Sequence, residues 1–199
     1  MVADAIAGCG AVVHLAAIPD EAPVADLLAA NVLVTGTVLE AARRSDVQRV
    51  VLASSNRVTG CYQRGRLVQT ADPPRPDTFY GVSKVAVEAL GRLYVDRWGM
   101  DVVCVRIGTA APAPLTVRDL STWVSPGDLG RCFVAAVHAP HRGFGVVYAV
   151  SGNARTWWGP GSGPGYEAID DAEAYAAQVG PDDPDADPDR QGLLRPWPS

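Results

Sequence analysis

The chain has 199 residues, 48% of them hydrophobic, and a net charge of −5, which is typical of one globular domain with a buried core. No run approaches about 18 apolar residues and the N-terminus lacks the basic flank of a secretory signal, so neither a membrane span nor secretion is expected. The four cysteines lack CxxC spacing and the three histidines lack a cluster of companion ligands, which argues against a disulfide framework and a metal site.

Strands and helices are predicted to alternate along the chain. Short β-branched or apolar runs indicate strands, whereas apolar residues at helical spacing indicate helices. Caps at Asp77 and Thr78 and a stop at Gly99 bound the best-defined helix. Strands are predicted over 11–17, 47–55, 100–108 and 144–152. Helices are predicted over 22–44, from the caps at Asp77 and Thr78 to Trp98, over 125–139 and over 170–180.

This alternation, with apolar strands, predicts an α/β fold: a parallel sheet with helices on both faces. Ligands of such folds bind beyond the carboxyl ends of the strands. Functional residues are therefore expected just after Ala17, Ser55 and Gly108.

Charge is concentrated at the C-terminal end, where eight acidic residues and two arginines follow from Asp170 onward. The remainder is nearly neutral, so neither nucleic acid nor a membrane is expected as a partner. The segment 180–199 is rich in proline and aspartate and is predicted to be a flexible tail. Residues 1–179 then form the domain, and its scattered thiols suit the reducing cytoplasm.

Tyr80 and Lys84 form a pair of particular interest, because Lys84 is the only lysine among 17 basic residues. A spacing of four places both side chains on one helix face. A nearby ammonium favours the phenolate and lowers the pKa of a tyrosine, which could then act as a general base. The pair could equally be a chance arrangement on a surface helix, but the hydroxyls of Ser54 and Ser55 end a strand at the expected ligand edge.

Together these segments resemble a known family. "VLASSNRVTGCY" (51–62), "YGVSK" (80–84), "VRIG" (105–108) and "RDLSTW" (118–123) are similar to the extended short-chain dehydrogenase/reductase superfamily, also called the NAD-dependent epimerase/dehydratase family, and especially to its uronate dehydrogenases. The resemblance implies a Rossmann-like domain and oxidation of a hexuronate, such as galacturonate or glucuronate, to an aldarolactone with hydride transfer to NAD. NADP is left open.

The resemblance also implies roles for individual residues. Tyr80 would be the general base, and Lys84 would hold the nicotinamide ribose and lower the pKa of Tyr80. Ser55 would act with them on the substrate. The remaining implied contacts are with the cofactor, through Leu15, Ala16, Ala17 and Gly108, and with the sugar acid, through Asn56, Arg57, Thr109 and Arg118, the last on the carboxylate.

Two residues depart from the family pattern at the substrate site. Arg57 follows the SSN tripeptide where the family usually has histidine, and it could reshape the pocket or add a second carboxylate anchor. Pro19 stands where some members carry a substrate-contacting serine. Neither departure affects the Tyr–Lys pair.

A larger departure concerns the start of the fold. Compared with the family, the first strands and the Gly-rich turn that holds the NAD pyrophosphate are missing, and Gly8–Cys9–Gly10 precedes a strand instead of following one. The strand at 11–17 would then lie at an exposed edge. The chain is therefore expected to bind NAD poorly.

Two alternatives remain open at this point. One is a nucleotide-sugar epimerase or dehydratase of the same superfamily, and the other is a non-catalytic, truncated remnant that binds a partner. The resemblance also implies a possible homodimer formed through the Tyr80 helix.

Overall fold

The computed structural model describes residues 2–138, 140, 142–159, 161 and 163–181. His141 and nearly all of the predicted tail at 180–199 lie outside the described residues. The helices are α1 (Val2–Ile6), α2 (Val24–Leu27), α3 (Val34–Arg44), α4 (Phe79–Trp98), α5 (Asp119–Thr122) and α6 (Pro126–His138). The strands are β1 (Ala11–His14), β2 (Arg49–Ser55), β3 (Asp101–Ile107), β4 (Thr109–Ala110), β5 (Trp123–Val124) and β6 (Phe144–Ala149).

The main sheet has the order β1-β2-β3-β6, and all of its strands are parallel. β2 and β3 are buried along almost their whole length because helices cover both faces. This confirms the predicted α/β Rossmann-like class, and all four predicted strands are present with slightly shorter bounds.

Two apolar layers hold the helices to the sheet. On one face, Leu39 of α3 and Val87 of α4 pack with Leu52 and Val102 of the sheet. On the other face, Cys132 of α6 packs with Val103 and its neighbours. Helices on opposite faces are what a sheet of continuous apolar strands requires.

The helix predicted over 22–44 runs from Val24 to Arg44, with a π-helical segment, Leu28–Leu33, between α2 and α3. By length and composition alone, this 21-residue helix could cross a membrane, contrary to the expectation from apolar runs. In the structure it packs against α4 and the sheet and buries Leu27 and Leu39 completely, whereas Leu28, Leu33 and Val34 are exposed. The core helix of a globular domain passes the same length and composition test.

Other elements differ from the prediction. The segment 170–180 forms only a 3-10 turn, Ala172–Tyr175, because its backbone is held by other partners: Asp128 accepts from the N–H of Asp170, and Asn153 accepts from that of Ala172. The small β4–β5 sheet was not predicted, and neither were α1 and α5.

β1 is the edge strand of the described sheet, as expected. It pairs with β2 on one side only, and Val13 is exposed. Among the described residues, no strand followed by a Gly-rich turn and a helix precedes β1.

Candidate active site

A cavity of about 500 Å³ opens at the carboxyl ends of β1, β2 and β3. This is the edge at which ligands of parallel sheets bind. Of the predicted site residues, all except Ala16 line it: Leu15, Ala17, Ser55, Asn56, Arg57, Tyr80, Lys84, Gly108, Thr109 and Arg118.

The helix that carries Tyr80 begins with two caps. Thr78 accepts a hydrogen bond from the N–H of Gly81 at 2.9 Å. Glu21, from the loop after β1, accepts from the N–H of Phe79 at 3.2 Å and from that of Tyr80 at 2.9 Å. These bonds satisfy N–H groups that the first turn of a helix leaves without partners and fix Tyr80 at the cavity wall.

Burial dominates the ionisation of Tyr80. It raises the pKa of the phenol, although a hydrogen bond with Ser55 and the charge of Arg57 act in the opposite direction. The carboxylate of Asp20 raises the pKa further. The expected lowering by Lys84 is therefore not seen in this structure.

Lys84 lies one turn further along the same helix face. Its Nζ donates to the carbonyl of Ala53 at 3.0 Å and lies 5.5 Å from the centre of the Tyr80 ring. The side chain is almost completely buried, and desolvation lowers its pKa to about 8. The amine is therefore held between the end of β2 and the cavity.

Ser55 and Asn56 lie where β2 ends. The Ser55 hydroxyl accepts from the N–H of Arg57 at 3.2 Å and so caps a 3-10 turn, Asn56–Thr59. The same hydroxyl lowers the pKa of Tyr80 and lines the same cavity. The turn thus holds Ser55 at the cavity wall that also carries Tyr80.

Two arginines line the side of the cavity proposed for the substrate. Nη1 of Arg57 donates to Oδ2 of Asp77 at 2.7 Å, and no further hydrogen bond of this guanidinium to the described residues is seen. Burial lowers the pKa of Arg118, and the positive charge of Arg57 lowers it further, so the two cations are neighbours. Thr109 is held through its hydroxyl by Thr122 at 2.7 Å.

Most of the residues predicted to contact the cofactor lie at this cavity. Lys84, Leu15 and Ala17 line the cavity, and Gly108 allows β3 to approach α5, because a Cβ on it would lie 2.1 Å from the Thr122 carbonyl oxygen. The described residues before β1 contain no cradle for the pyrophosphate of NAD.

The sequence prediction missed Asp20, Glu21 and Asn31. Asn31 bonds to both backbone groups of Ile18, at 2.8 Å and 3.2 Å, and to the hydroxyl of Ser83 at 2.9 Å. The "IPDE" segment (18–21) was expected to follow a functional strand end, but only the fold shows which of its residues face the cavity. Asp119, which accepts from the N–H groups of Leu115 and Thr116, also lines the cavity.

Comparisons with known proteins agree with this geometry. Residues 1–114 match the model of the NAD dependent epimerase/dehydratase family. A uronate dehydrogenase of Pseudomonas syringae pv. tomato is 38% identical over 176 residues, which cover 87% of this chain and 64% of that protein. One of Agrobacterium fabrum is 37% identical over 185 residues, which cover 92% of this chain and 70% of that protein.

Solved structures give the same result. The crystal structure of uronate dehydrogenase from Agrobacterium tumefaciens superposes with a TM-score of 0.84 at 36% identity, covering 92% of this chain and 71% of that one. A mutant of that protein has been solved in complex with NAD. The chain therefore spans about two thirds of the length of the curated relatives that it matches.

Proposed function

The chain belongs to the NAD-dependent epimerase/dehydratase family, and on that premise we propose that it is an NAD-dependent oxidoreductase that converts a hexuronate to an aldarolactone. The choice between galacturonate and glucuronate stays open, as does that between NAD and NADP. The reduced cysteines suit a cytoplasmic location.

The observation that carries the proposal is that one cavity contains both a phenol–hydroxyl pair and two arginines. Tyr80 and Ser55 line the same cavity, and the Ser55 hydroxyl lowers the pKa of the phenol, which supports a site where one hydroxyl is held while its proton is removed. Arg57 and Arg118 offer guanidinium groups, which pair with carboxylates through two parallel hydrogen bonds. A sugar acid presents both of these groups.

Each residue then has a defined task. Ser55 holds the anomeric hydroxyl, and Tyr80, as phenolate, accepts its proton while the anomeric carbon becomes the lactone carbonyl. Asn56 and Thr109 bind ring hydroxyls, and Arg118 binds the carboxylate. When bound, NAD would supply the acceptor for the hydride that leaves the anomeric carbon.

Lys84 would hold the ribose of the cofactor through its amine. Because the structure buries this amine and lowers its pKa to about 8, it exchanges protons near neutral pH. Below that pH the amine is an ammonium, and a positive charge close to the phenol favours its ionised form.

The test is ligand binding and turnover by the purified chain. Calorimetry should show binding of galacturonate or glucuronate, and Arg118→Met should weaken it at least tenfold while Arg97→Met, on the exposed end of α4, leaves it unchanged. Turnover is followed as NADH formation at high NAD. Binding of UDP-sugars in place of free uronates would instead favour a nucleotide-sugar epimerase or dehydratase, and failure to bind any sugar would favour a non-catalytic remnant.

A further inference from the structure

Arg118 lies at the end of a loop, residues 111–118, that connects β4 to α5 and faces the cavity. The large apolar side chains of this loop, Leu115 and Val117, are exposed over 72% and 45% of their surface. Because little of their apolar area is removed from water, they contribute little to holding the loop in place. Asp119 accepts from the N–H of Leu115 at 3.1 Å, but it adjoins Arg118 and would move with it. The position of the loop therefore depends on contacts with segments outside it.

One such segment, residues 171–180 and called the strap from here on, bonds to the end of the loop next to Arg118. The N–H of Gly180 donates to the carbonyl of Leu115 at 3.0 Å, and the N–H of Val117 donates to the carbonyl of Gly180 at 3.1 Å. The two stretches thus pair as in a parallel sheet. This two-bond bridge ends one residue before Arg118.

The strap also reaches the start of the loop, through Trp123. The rings of Tyr175 and Trp123 pack in a T-shaped arrangement with their centroids 5.6 Å apart. The indole N–H of Trp123 donates to the carbonyl of Ala111 at 2.8 Å. Val179 of the strap packs on the same buried cluster. Both ends of the loop are therefore connected to one strap.

The strap is itself anchored to the main fold. Asn153, which follows β6, accepts from the N–H of Ala172 at 3.1 Å and donates to the carbonyl of Trp123 at 2.7 Å. Asp128 is completely buried in α6 and accepts from the N–H of Asp170, just before the strap, at 3.1 Å. The strap is therefore a fixed support on which the loop rests.

The position of the loop matters for an acidic ligand. A guanidinium and a carboxylate pair through two parallel hydrogen bonds, which form together only when the two planar groups are aligned. A misplacement of about 1 Å is enough to lose much of the benefit of such an alignment. No residue of the strap is among the described residues that line the cavity, so its effect on a ligand would pass through Arg118.

We propose that the strap positions Arg118 for the acid group of the substrate, and that Tyr175 and Gly180 are its positioning residues. The inference rests on the proposed function, since that function gives Arg118 the carboxylate. It extends the determinants of affinity for a sugar acid to residues outside the cavity.

Gly180 offers a matched pair of substitutions for testing this. Gly180→Pro removes the N–H that donates to Leu115. Gly180→Ala keeps that N–H, and its Cβ would lie 3.8 Å from the Leu115 carbonyl oxygen, which is an ordinary contact. In calorimetric titrations of the full chain with D-galacturonate, the proline variant should bind about fivefold more weakly than the parent. The alanine variant should bind as the parent does.

A double-mutant cycle separates positioning from a general structural effect. In the Arg118→Met background, Gly180→Pro should weaken the binding of D-galacturonate no further, because the group that the strap positions is gone. A loss of the same size in both backgrounds would mean that the strap acts on the ligand by another route, and the proposal would be wrong.

Tyr175 provides a second pair, which tests the other end of the loop without a proline. Tyr175→Leu removes the ring that packs on Trp123 and should also weaken the binding of D-galacturonate. Tyr175→Phe keeps the ring and should bind as the parent does. Equal binding by Tyr175→Leu and Tyr175→Phe would remove Tyr175 from the proposal.

Amide hydrogen exchange tests the strap without a ligand. Gly180→Pro should accelerate exchange at Val117, whereas Tyr80, at the start of α4, should keep its rate. Unchanged exchange at Val117, or unchanged affinity for D-galacturonate, would overturn the role of the strap. If exchange accelerates but even the parent does not bind D-galacturonate, the hold of the strap on the Arg118 loop stands and the uronate assignment fails.

Discussion

Glu88 and Arg106 form a buried two-point ion pair directly behind the candidate site. Nε of Arg106 donates to Oε1 of Glu88, and Nη2 donates to Oε2, both at 2.9 Å. The hydroxyl of Ser54 adds a third donor to the carboxylate at 2.6 Å. This ion pair thus joins α4, β3 and the end of β2. In α4, Glu88 lies one helical turn after Lys84.

Removing half of this pair should destabilise the chain strongly. Glu88→Gln leaves the guanidinium of Arg106 buried without a counter-charge, and the free energy of unfolding in urea should fall by about 3 kcal/mol. Replacing both residues with methionine should cost much less, because no charge is then left unpaired. Glu167→Gln, on the exposed surface, is the control, and equal losses in both glutamine variants would contradict the assignment.

Lys84→Met should stabilise the chain at neutral pH while removing turnover. Desolvation lowers the lysine pKa from 10.5 to about 8, so between these values the folded chain binds fewer protons than the unfolded one and stability rises with pH. Below about pH 8 the buried amine is charged, and its desolvation lowers the free energy of unfolding by the full amount. Allowing for the lost bond to Ala53, the gain at pH 7 should be about 2 kcal/mol and should disappear above about pH 10.5.

Urea unfolding of the parent and of Lys84→Met, at pH 7 and above about pH 10.5, measures the difference between their free energies of unfolding. A variant no more stable than the parent at pH 7 would show that the amine is solvated in the folded chain. Undiminished NADH formation by Lys84→Met would remove the role proposed for the lysine in the reaction.

Glu21→Ala should loosen the start of α4. Two N–H groups at the helix terminus lose their acceptor and the terminus loses a favourable negative charge, which together should cost about 1 kcal/mol. Amide hydrogen exchange at Phe79 and Tyr80 should accelerate, whereas the last turn of the helix should keep its protection. Glu21→Gln, which keeps the acceptor oxygen without the charge, should give an intermediate rate.

The chain should bind NAD more weakly than micromolar. The contacts proposed for the cofactor are with Lys84 and the loop at 15–17, but the described residues contain no strand, Gly-rich turn and helix ahead of β1 for the pyrophosphate. Fluorescence or calorimetric titration of NAD against the purified chain measures the affinity. Micromolar binding would show that other residues hold the pyrophosphate.

The parts of the site that depend on local sequence could be predicted. Tyr80 and Lys84 lie on one face because a spacing of four requires it, and Ser55 lies beside them because strand ends of a parallel sheet share an edge. The caps of α4 show the limit of such reasoning: Thr78 is next to its helix and was predicted, whereas Glu21 is 58 residues before the first N–H that it caps.

Electrostatics were the least predictable part. The sequence suggested that Lys84 lowers the pKa of Tyr80, but burial raises the pKa of Tyr80 and lowers that of Lys84, and the amine is directed at Ala53. Desolvation depends on how completely the chain encloses a group. A spacing along one helix contains no information on that.

The π-helical segment at Leu28–Leu33 limits which insertions and deletions the sequence can tolerate during evolution. A wide turn of this kind accommodates one residue more than an α-helical turn, and one residue corresponds to a rotation of about 100°. Deleting a residue there would restore regular helix but swing Asn31 away from Ile18 and Ser83. We expect natural variants to alter the exposed side chains of this segment, Leu28 and Leu33, while Asn31 and the length of the segment stay constant, because a single lost codon would separate Asn31 from the loop that it holds.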